Sequence, residues 1–165
     1  MCGIIGIASN KSVASNIIQS LKKLEYRGYD SSGIATIVNG NIDEKKCTGR
    51  VDNLEKILFK NPSTGSLGIG HVRWATHGIP SQINAHPHSS EEVSVVHNGI
   101  IENSTLLKKF LVGKGHKFKS QTDTEVIVHL ITENLKTNDI ISSVQKTLKA
   151  LHGSFALGIL FKDQP

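Results

Sequence analysis

The sequence lacks the features that stabilise a protein in addition to, or instead of, an ordinary hydrophobic core, such as several disulfide bonds, a cysteine metal site or a membrane-spanning segment. Its 165 residues include two cysteines, Cys2 and Cys47, which are too few for a disulfide scaffold and lack the CxxC spacing of common metal and redox sites. No apolar run approaches the ~20 residues that cross a bilayer, and no cationic segment precedes the short apolar stretch near the N-terminus. These absences predict a globular cytoplasmic protein without a membrane partner.

Aromatic residues are also scarce, which bears on nucleic-acid binding. Lys and Arg number 19 against 14 Asp and Glu, for a formal net charge of +5, and a basic excess can serve a phosphate backbone. The lysines are scattered, however, and the 5 Phe, 2 Tyr and 1 Trp show no basic and aromatic interleaving of the kind that forms a stacking platform. The sequence therefore predicts no nucleic-acid partner.

Short β-rich segments and helical segments share the chain. Asn39-Gly-Asn41 separates two strand candidates as a hairpin turn would, and Ser12 and Gly28 are a candidate N-cap and stop for the first helix. Hairpin strands and runs of helices favour an α+β fold with antiparallel sheet. The predicted strands are 2–8, 32–38, 42–47, 67–74, 93–97 and 154–162, and the later helices are 52–59, 104–112, 123–135 and 139–151.

Cys2 is the first candidate for chemistry because of its position. Removal of Met1, which a small second residue generally permits, would leave Cys2 with a free α-amine beside its thiol. An α-amine titrates at about 7.7–8.0, so much of it is neutral and can act as the base that a nucleophile requires. The alternative is a cysteine that packs as a small buried apolar residue.

Five of the eight histidines and the single tryptophan fall within residues 71–97. Residues 75–90 show little periodicity, and long irregular loops in compact domains are often binding loops or lids. Arg73 offers a guanidinium fork for a carboxylate, and Trp74 could shield a site from water. A zinc site at His86-Pro-His88 is an alternative, although it lacks known zinc-ligand spacing; another is that most of these histidines hydrogen-bond loop backbone.

Two further segments carry groups suited to a charged substrate. His97-Asn98-Gly99 is predicted at a strand end, where Asn-Gly alone indicates a turn. The Asn amide and the Gly backbone N–H could also donate together to a developing negative charge. Thr122 or Asp123 could cap the next helix, but Asp123 could equally bind an ammonium group. Arg73 and Asp123 together would match the two charges of a free amino acid.

Six short motifs occur in a fixed order, and the order is more specific than any one of them. They are Met1-Cys-Gly-Ile-Ile-Gly6, Leu24-Glu-Tyr-Arg-Gly-Tyr-Asp-Ser-Ser-Gly33, Arg73-Trp-Ala-Thr-His-Gly78, Asn84-Ala-His-Pro-His88, His97-Asn-Gly-Ile-Ile-Glu-Asn103 and Ser120-Gln-Thr-Asp-Thr-Glu125. Over essentially the whole chain they resemble the glutaminase domain of the glutamine–fructose-6-phosphate aminotransferase family, a class II glutamine amidotransferase with an N-terminal nucleophile. The second and third motifs favour this family over amidophosphoribosyltransferase and asparagine synthetase, the alternatives.

The resemblance implies that the chemistry lies at the N-terminal residue. Cys2 would be the nucleophile, and its α-amine, acting through a water, would be the base. Asn98 and Gly99 would form the oxyanion hole. Arg27 would support the Cys2 site, although its chemistry alone also suits a pair with Asp30. Attack on the γ-amide of L-glutamine would release ammonia and leave a thioester that water hydrolyses.

The resemblance also implies the substrate contacts and partners. Arg73 would bind the carboxylate of L-glutamine and Asp123 its α-amine. Trp74, Thr76 and His77 would belong to a loop that closes over the substrate. No cofactor and no metal are implied. The ammonia would serve synthase (sugar-isomerase) domains that aminate fructose 6-phosphate, in the same protein or another chain, and a homo-oligomer is compatible with this.

The fold implied by the resemblance is the four-layer αββα sandwich of N-terminal-nucleophile hydrolases. Residues 2–165 would form the N-terminal part of one glutaminase domain, incomplete at the C-terminus, because family members continue past the position that matches Pro165 and sugar-isomerase domains follow. The competing functional hypothesis is a truncated module that binds glutamine, or docks on a synthase, without turnover.

Overall fold

The computed structural model describes residues 2–75 and 78–162. All strand pairs in these two ranges are antiparallel, which confirms the α+β prediction. The strands are β1 (Gly3–Ala8), β2 (Ser31–Val38), β3 (Asn41–Thr48), β4 (Leu67–Arg73), β5 (His88–Ser89), β6 (Val93–Ile101) and β7 (Gly153–Phe161). The helices are α1 (Ala14–Leu24), α2 (Val51–Lys60), α3 (Ser104–Gly113), α4 (Glu125–Leu135) and α5 (Ile140–Ala150), and a 3-10 turn (Glu25–Arg27) follows α1.

Two sheets lie face to face between two layers of helices. The first sheet has the order β1-β4-β2-β3 and the second β5-β6-β7. Alternation along each strand divides the side chains between the faces: Val95 packs with the helices α3 and α4, whereas Val96 packs with Ile69 of the opposite sheet. On the outer side of the first sheet, α1 and α2 cover Ile34 and Val72. The layers are therefore αββα, as the resemblance implies.

The hairpin between β2 and β3 forms where the sequence predicts it. Asn39 and Gly40 both have positive φ, 51° and 72°, as the two central residues of a type I′ turn require. At the start of α1 the sequence prediction is wrong. The helix follows Val13, and the hydroxyl of Ser12 donates to the backbone oxygen of Ser63 at 3.0 Å instead of capping the helix.

The structure corrects the predicted end of β6. The strand does not stop at Asn98-Gly99 but continues to Ile101, with Asn98 opposite Ala156 and Gly99 opposite Phe155 on β7. The reason is that the tertiary partner β7 extends the ladder through an Asn-Gly pair that alone would favour a turn. Within the described ranges, no helix has both the length and the apolar character needed to cross a bilayer.

Candidate active site

Strand pairing brings Cys2 and Arg73 to one end of the space between the sheets. Gly3 lies opposite Val72, so the same register extended by one residue sets Cys2 opposite Arg73. Because successive side chains of a strand alternate between faces, Cys2 points to the same face as Ile4. That residue packs between the two sheets, and the thiol therefore faces the second sheet.

The cleft at this end joins residues from five separate parts of the chain. Its lining includes Cys2, Arg73, Gly99 and Asp123, together with Trp74. Its volume is about 20 Å³, which is the space of about one water molecule. A substrate as large as an amino acid would therefore require the cleft to widen.

The sulfur of Cys2 is held by the backbone of Trp74. The Trp74 N–H donates to Sγ at 3.3 Å, and Sγ lies 3.6 Å from the Trp74 oxygen, to which the thiol can donate. Cys2 is partly exposed, whereas Cys47 is buried. Burial raises the pKa of the Cys47 thiol, so Cys47 is poorly suited to form a thiolate.

Arg27 and Asp30 hold separate parts of the site. Arg27 Nε donates to the backbone oxygen of Cys2 at 3.1 Å. The Asp30 carboxylate accepts from the N–H of Ala75 at 2.8 Å, and the Asp30 N–H donates to the Arg73 oxygen at 3.1 Å. The suggested pairing of Arg27 with Asp30 is thus wrong. Sequence reasoning missed the role of Asp30 in fixing residues 73–75, although its place in the second motif was a signal.

Arg73 is a buried cation at the edge of the cleft. The residue is 3% exposed, and Nη2 donates to the backbone oxygen of Gly78 at 3.3 Å. Burial lowers the pKa of the guanidinium, while the nearby acidic groups of Cys2, Asp30 and Asp123 act to raise it. The guanidinium lies at the edge of the cleft, where attraction to an anion is stronger than in water.

Asn98 and Gly99 lie within β6, and Gly99 borders the cleft. Gly99 has φ of +136°, a conformation that residues with a Cβ rarely adopt, and a Cβ there would lie 2.0 Å from the Ser154 oxygen. The side-chain oxygen of Asn98 lies 3.0 Å from Nε2 of His71. The dipeptide thus presents backbone at the cleft while its Asn side chain is anchored on the opposite sheet.

Asp123 reaches the cleft from the segment that precedes α4. Its Oδ2 accepts from the N–H of Ile101 at 2.8 Å. Neither Asp123 nor Thr122 caps α4, because Thr124 occupies the N-cap position; this corrects the capping alternative. The Thr122 hydroxyl instead lies 3.0 Å from Nε2 of His88.

Four histidines are buried beneath the cleft, and they contact mainly side chains. His86 Nε2 and His97 Nδ1 lie 2.8 and 2.9 Å from the hydroxyl of Thr124. Burial lowers the pKa of each of the four, to about 3 for both His71 and His88, so all are neutral at pH 7. The expectation that such histidines bond only loop backbone is wrong. Over residues 2–75 and 78–162, no group of His, Cys, Asp or Glu is arranged to hold a metal.

The proposed closing loop is only partly described. Trp74 is 45% exposed, and its indole meets the Tyr29 ring edge-on with centroids 5.7 Å apart. Thr76 and His77 lie outside the described residues. The structure thus places Trp74 at the rim of the cleft, beside the Cys2 sulfur.

Comparisons with known proteins identify similar sequences over the whole chain. The chain is 50% identical over 166 residues to glutamine–fructose-6-phosphate aminotransferase [isomerizing] of Zymomonas mobilis, and 52% identical over 165 residues to the Bartonella quintana protein of that name. These alignments cover 100% and 99% of this chain. The chain spans 27% of the length of each of these curated relatives.

Solved structures and a family model extend the comparison. A glutamine phosphoribosylpyrophosphate amidotransferase from B. subtilis matches with a TM-score of 0.82 at 26% identity, covering 98% of this chain and 35% of that one. The model of the glutamine amidotransferase domain matches residues 71–165, a range that holds Arg73, Asn98-Gly99 and Asp123. With more than half of its length matched, and with these residues gathered around one cysteine, the chain belongs to the glutamine amidotransferase domain family.

Proposed function

We propose that this domain hydrolyses L-glutamine to glutamate and ammonia through Cys2. The observation that carries the proposal is the meeting of Cys2, Arg73, Gly99 and Asp123 at one cleft. A thiol, a cation, a backbone donor and a carboxylate are the groups that an amino acid with a reactive side-chain amide requires.

Arg73 and Asp123 would bind the two charges of the substrate. The guanidinium of Arg73 suits the α-carboxylate, and the carboxylate of Asp123 suits the α-ammonium group. Both residues lie in the cleft with Cys2, so binding the backbone of glutamine there would direct its side chain toward the sulfur. Widening of the cleft would admit the substrate, and the loop with Trp74, Thr76 and His77 would then close over it.

The reaction would proceed by two acyl transfers. After loss of Met1, the free α-amine of Cys2, through a water, takes the thiol proton, and the sulfur attacks the amide carbon of glutamine. The carbonyl oxygen becomes an oxyanion that accepts from Asn98 Nδ2 and the Gly99 N–H. Return of the proton to the amide nitrogen expels ammonia, and water then hydrolyses the thioester to glutamate.

Two contacts would prepare Cys2 for this role. The Trp74 N–H that donates to Sγ would hold the sulfur in place at the cleft. Arg27 holds the backbone oxygen of Cys2, which would orient the terminal residue and its amine. Arg27 would thus be a supporting residue that does not touch the substrate.

We also propose that the ammonia serves the amination of fructose 6-phosphate by synthase domains, in the cytoplasm. The support is the 50–52% identity to proteins named for that reaction, against 26% to the phosphoribosylpyrophosphate enzyme. Supplying amide-labelled ¹⁵N-glutamine to the protein together with its synthase part should yield ¹⁵N-glucosamine 6-phosphate. Label that enters phosphoribosylamine instead would favour the alternative acceptor.

The first test replaces the nucleophile. Cys2→Ala should lower ammonia release from glutamine by at least ~10³-fold, as removal of a covalent nucleophile does in other enzymes, while the circular dichroism spectrum stays unchanged. Cys47→Ala is the matched control, because Cys47 is the other free cysteine and is buried. Mass spectrometry of the parent should show that Met1 is absent.

Two outcomes would contradict the proposal. Ammonia release by Cys2→Ala equal to that of the parent would rule out Cys2 as the nucleophile. Glutamine binding by the parent, measured by calorimetry, with no turnover under any condition would favour the module that binds without hydrolysis.

A further inference from the structure

The amide of Asn98 must keep one orientation to act as an oxyanion donor. A carboxamide presents a donating NH₂ on one side and an accepting oxygen on the other, and rotation by 180° exchanges them. When Nδ2 faces the cleft, the side chain can donate a hydrogen bond to a developing oxyanion and stabilise it. In the reverse orientation, the Asn98 side-chain oxygen would face the oxyanion and repel it. Whatever fixes this rotation therefore affects the rate of the reaction.

His71 contacts Asn98 from the opposite sheet. Its Nε2 lies 3.0 Å from Asn98 Oδ1 and 3.1 Å from the backbone oxygen of His97. The backbone oxygen can only accept, so Nε2 carries a proton and donates. A donating Nε2 requires that the oxygen of the Asn98 amide faces it, and this turns Nδ2 away from His71.

The surroundings of His71 hold its ring in this state. The side chain is fully buried, and its ring stacks on that of His86 with centroids 4.2 Å apart. Nδ1 is buried and, among the described residues, has no hydrogen-bond partner. Burial lowers the pKa of the ring to about 3. The imidazole is therefore neutral near pH 7, with its single proton on Nε2.

We infer that His71 is a positioning residue: its Nε2–H fixes the Asn98 carboxamide with the NH₂ group directed at the Cys2 cleft. The inference rests on the proposed function, because the orientation matters only if Asn98 stabilises an oxyanion. His71 acts through Asn98 and does not itself contact the substrate.

A matched pair of variants separates the hydrogen bond from the packing. His71→Gln places an amide N–H near the position of Nε2, and His71→Met has the same length without a donor. His71→Met should lower kcat for glutamine hydrolysis by roughly 10–100-fold, somewhat less than complete loss of one oxyanion donor, with KM nearly unchanged. His71→Gln should recover most of this loss. His152→Met, which removes an exposed histidine between α5 and β7, should leave kcat unchanged.

Alkylation of Cys2 by iodoacetamide distinguishes positioning of Asn98 from damage to the nucleophile. Alkylation forms no oxyanion, so its rate should be the same in the parent, His71→Met and His71→Gln. Equal loss of kcat in both variants, or an alkylation rate that falls in step with kcat, would mean that His71 only packs the core and would overturn the inference.

A double-mutant cycle tests whether His71 acts through Asn98. Once Asn98→Ala has removed the amide, adding His71→Met should cause no further loss of kcat. Independent, multiplying losses would overturn the inference. If His71→Met does not fold, His71→Asn takes its place. The side chain of Asn is too short to bring its amide to the position of Nε2, so we expect the same loss of kcat.

A measurement without turnover keeps this inference separate from the proposed function. ¹⁵N NMR at pH 7 should show the Nε2–H tautomer of His71, and two sharp Asn98 amide proton signals that broaden in His71→Met. The Nδ1–H tautomer, or Asn98 signals unaffected by the variant, would overturn the inference. A protein with the expected signals but no ammonia release would contradict the proposed function and support the His71 contact.

Discussion

At the scale of the residue, Asp123 serves both the fold and the proposed substrate. One oxygen, Oδ2, accepts from the N–H of Ile101 at 2.8 Å and ties the segment before α4 to β6. Within the part of the chain that the structure describes, Oδ1 carries no hydrogen bond. Asp123 therefore has an accepting atom and a negative charge available beside Arg73.

The substitution Asp123→Asn separates these two roles. Its side-chain oxygen can keep the bond to Ile101, but the negative charge is lost. A hydrogen bond to a charged group contributes about 1.5–3 kcal/mol, so KM for glutamine should rise roughly 10–100-fold while kcat changes less. Steady-state ammonia release measures both constants.

The control for this prediction is Glu102→Gln, which removes an exposed negative charge nearby. It should leave KM within error of the parent value. If Asp123→Asn binds glutamine as tightly as the parent, Asp123 is not the ammonium-binding residue.

At the scale of the element, Glu125 at the start of α4 organises the segment that carries Asp123. Its carboxylate accepts from the N–H groups of Lys119 and Ser120 at 2.8 and 2.7 Å, and from the Ser120 hydroxyl at 2.7 Å. Burial alone would raise the pKa of Glu125, but hydrogen bonds from His129, Lys119 and Ser120 lower it to about 2. Residues 119–125 thus fold around one buried anion.

Replacement of this anion should loosen the segment. Glu125→Gln keeps the shape but turns an NH₂ group toward a backbone N–H, so the free energy of unfolding should fall by roughly 1.5–3 kcal/mol. Urea unfolding at pH 7 measures the change. Glu91→Gln, at an exposed position, should have almost no effect, and equal stability of both variants would mean that Glu125 does not anchor the segment.

The secondary-structure elements also show which parts of the fold and the site the sequence can predict. Element types followed from periodicity and turn residues, as at the Asn39-Gly40 hairpin, because those signals are local. The end of β6 and the short strand β5 were missed, because each depends on a partner strand distant in sequence. The motifs named the residues around Cys2, but no local pattern indicates that His71 meets Asn98 across two sheets.

At the scale of the whole molecule, the αββα layers bury neutral histidines next to the site. In the unfolded chain each would have an ordinary pKa of 6.5, whereas burial lowers the pKa to about 3 for His71 and His88. Below pH 6.5 the unfolded chain therefore binds protons that the native protein does not, and stability must fall as pH falls. Glu125 acts in the same direction at lower pH, between its ordinary pKa of 4.5 and about 2.

Acid should therefore destabilise this protein well before its carboxylates titrate. His71 and His88 together should reduce the free energy of unfolding by roughly 3 kcal/mol between pH 6.5 and pH 5, a large part of the 5–15 kcal/mol that is typical of a domain. Urea unfolding followed by circular dichroism at pH 7, 6 and 5 measures the decline. His88→Gln should make the free energy of unfolding decline less between pH 7 and pH 5, whereas the control His152→Gln, at an exposed position, should leave the decline unchanged. Equal stability at pH 7 and pH 5 would show that the buried histidines are protonated in the native state.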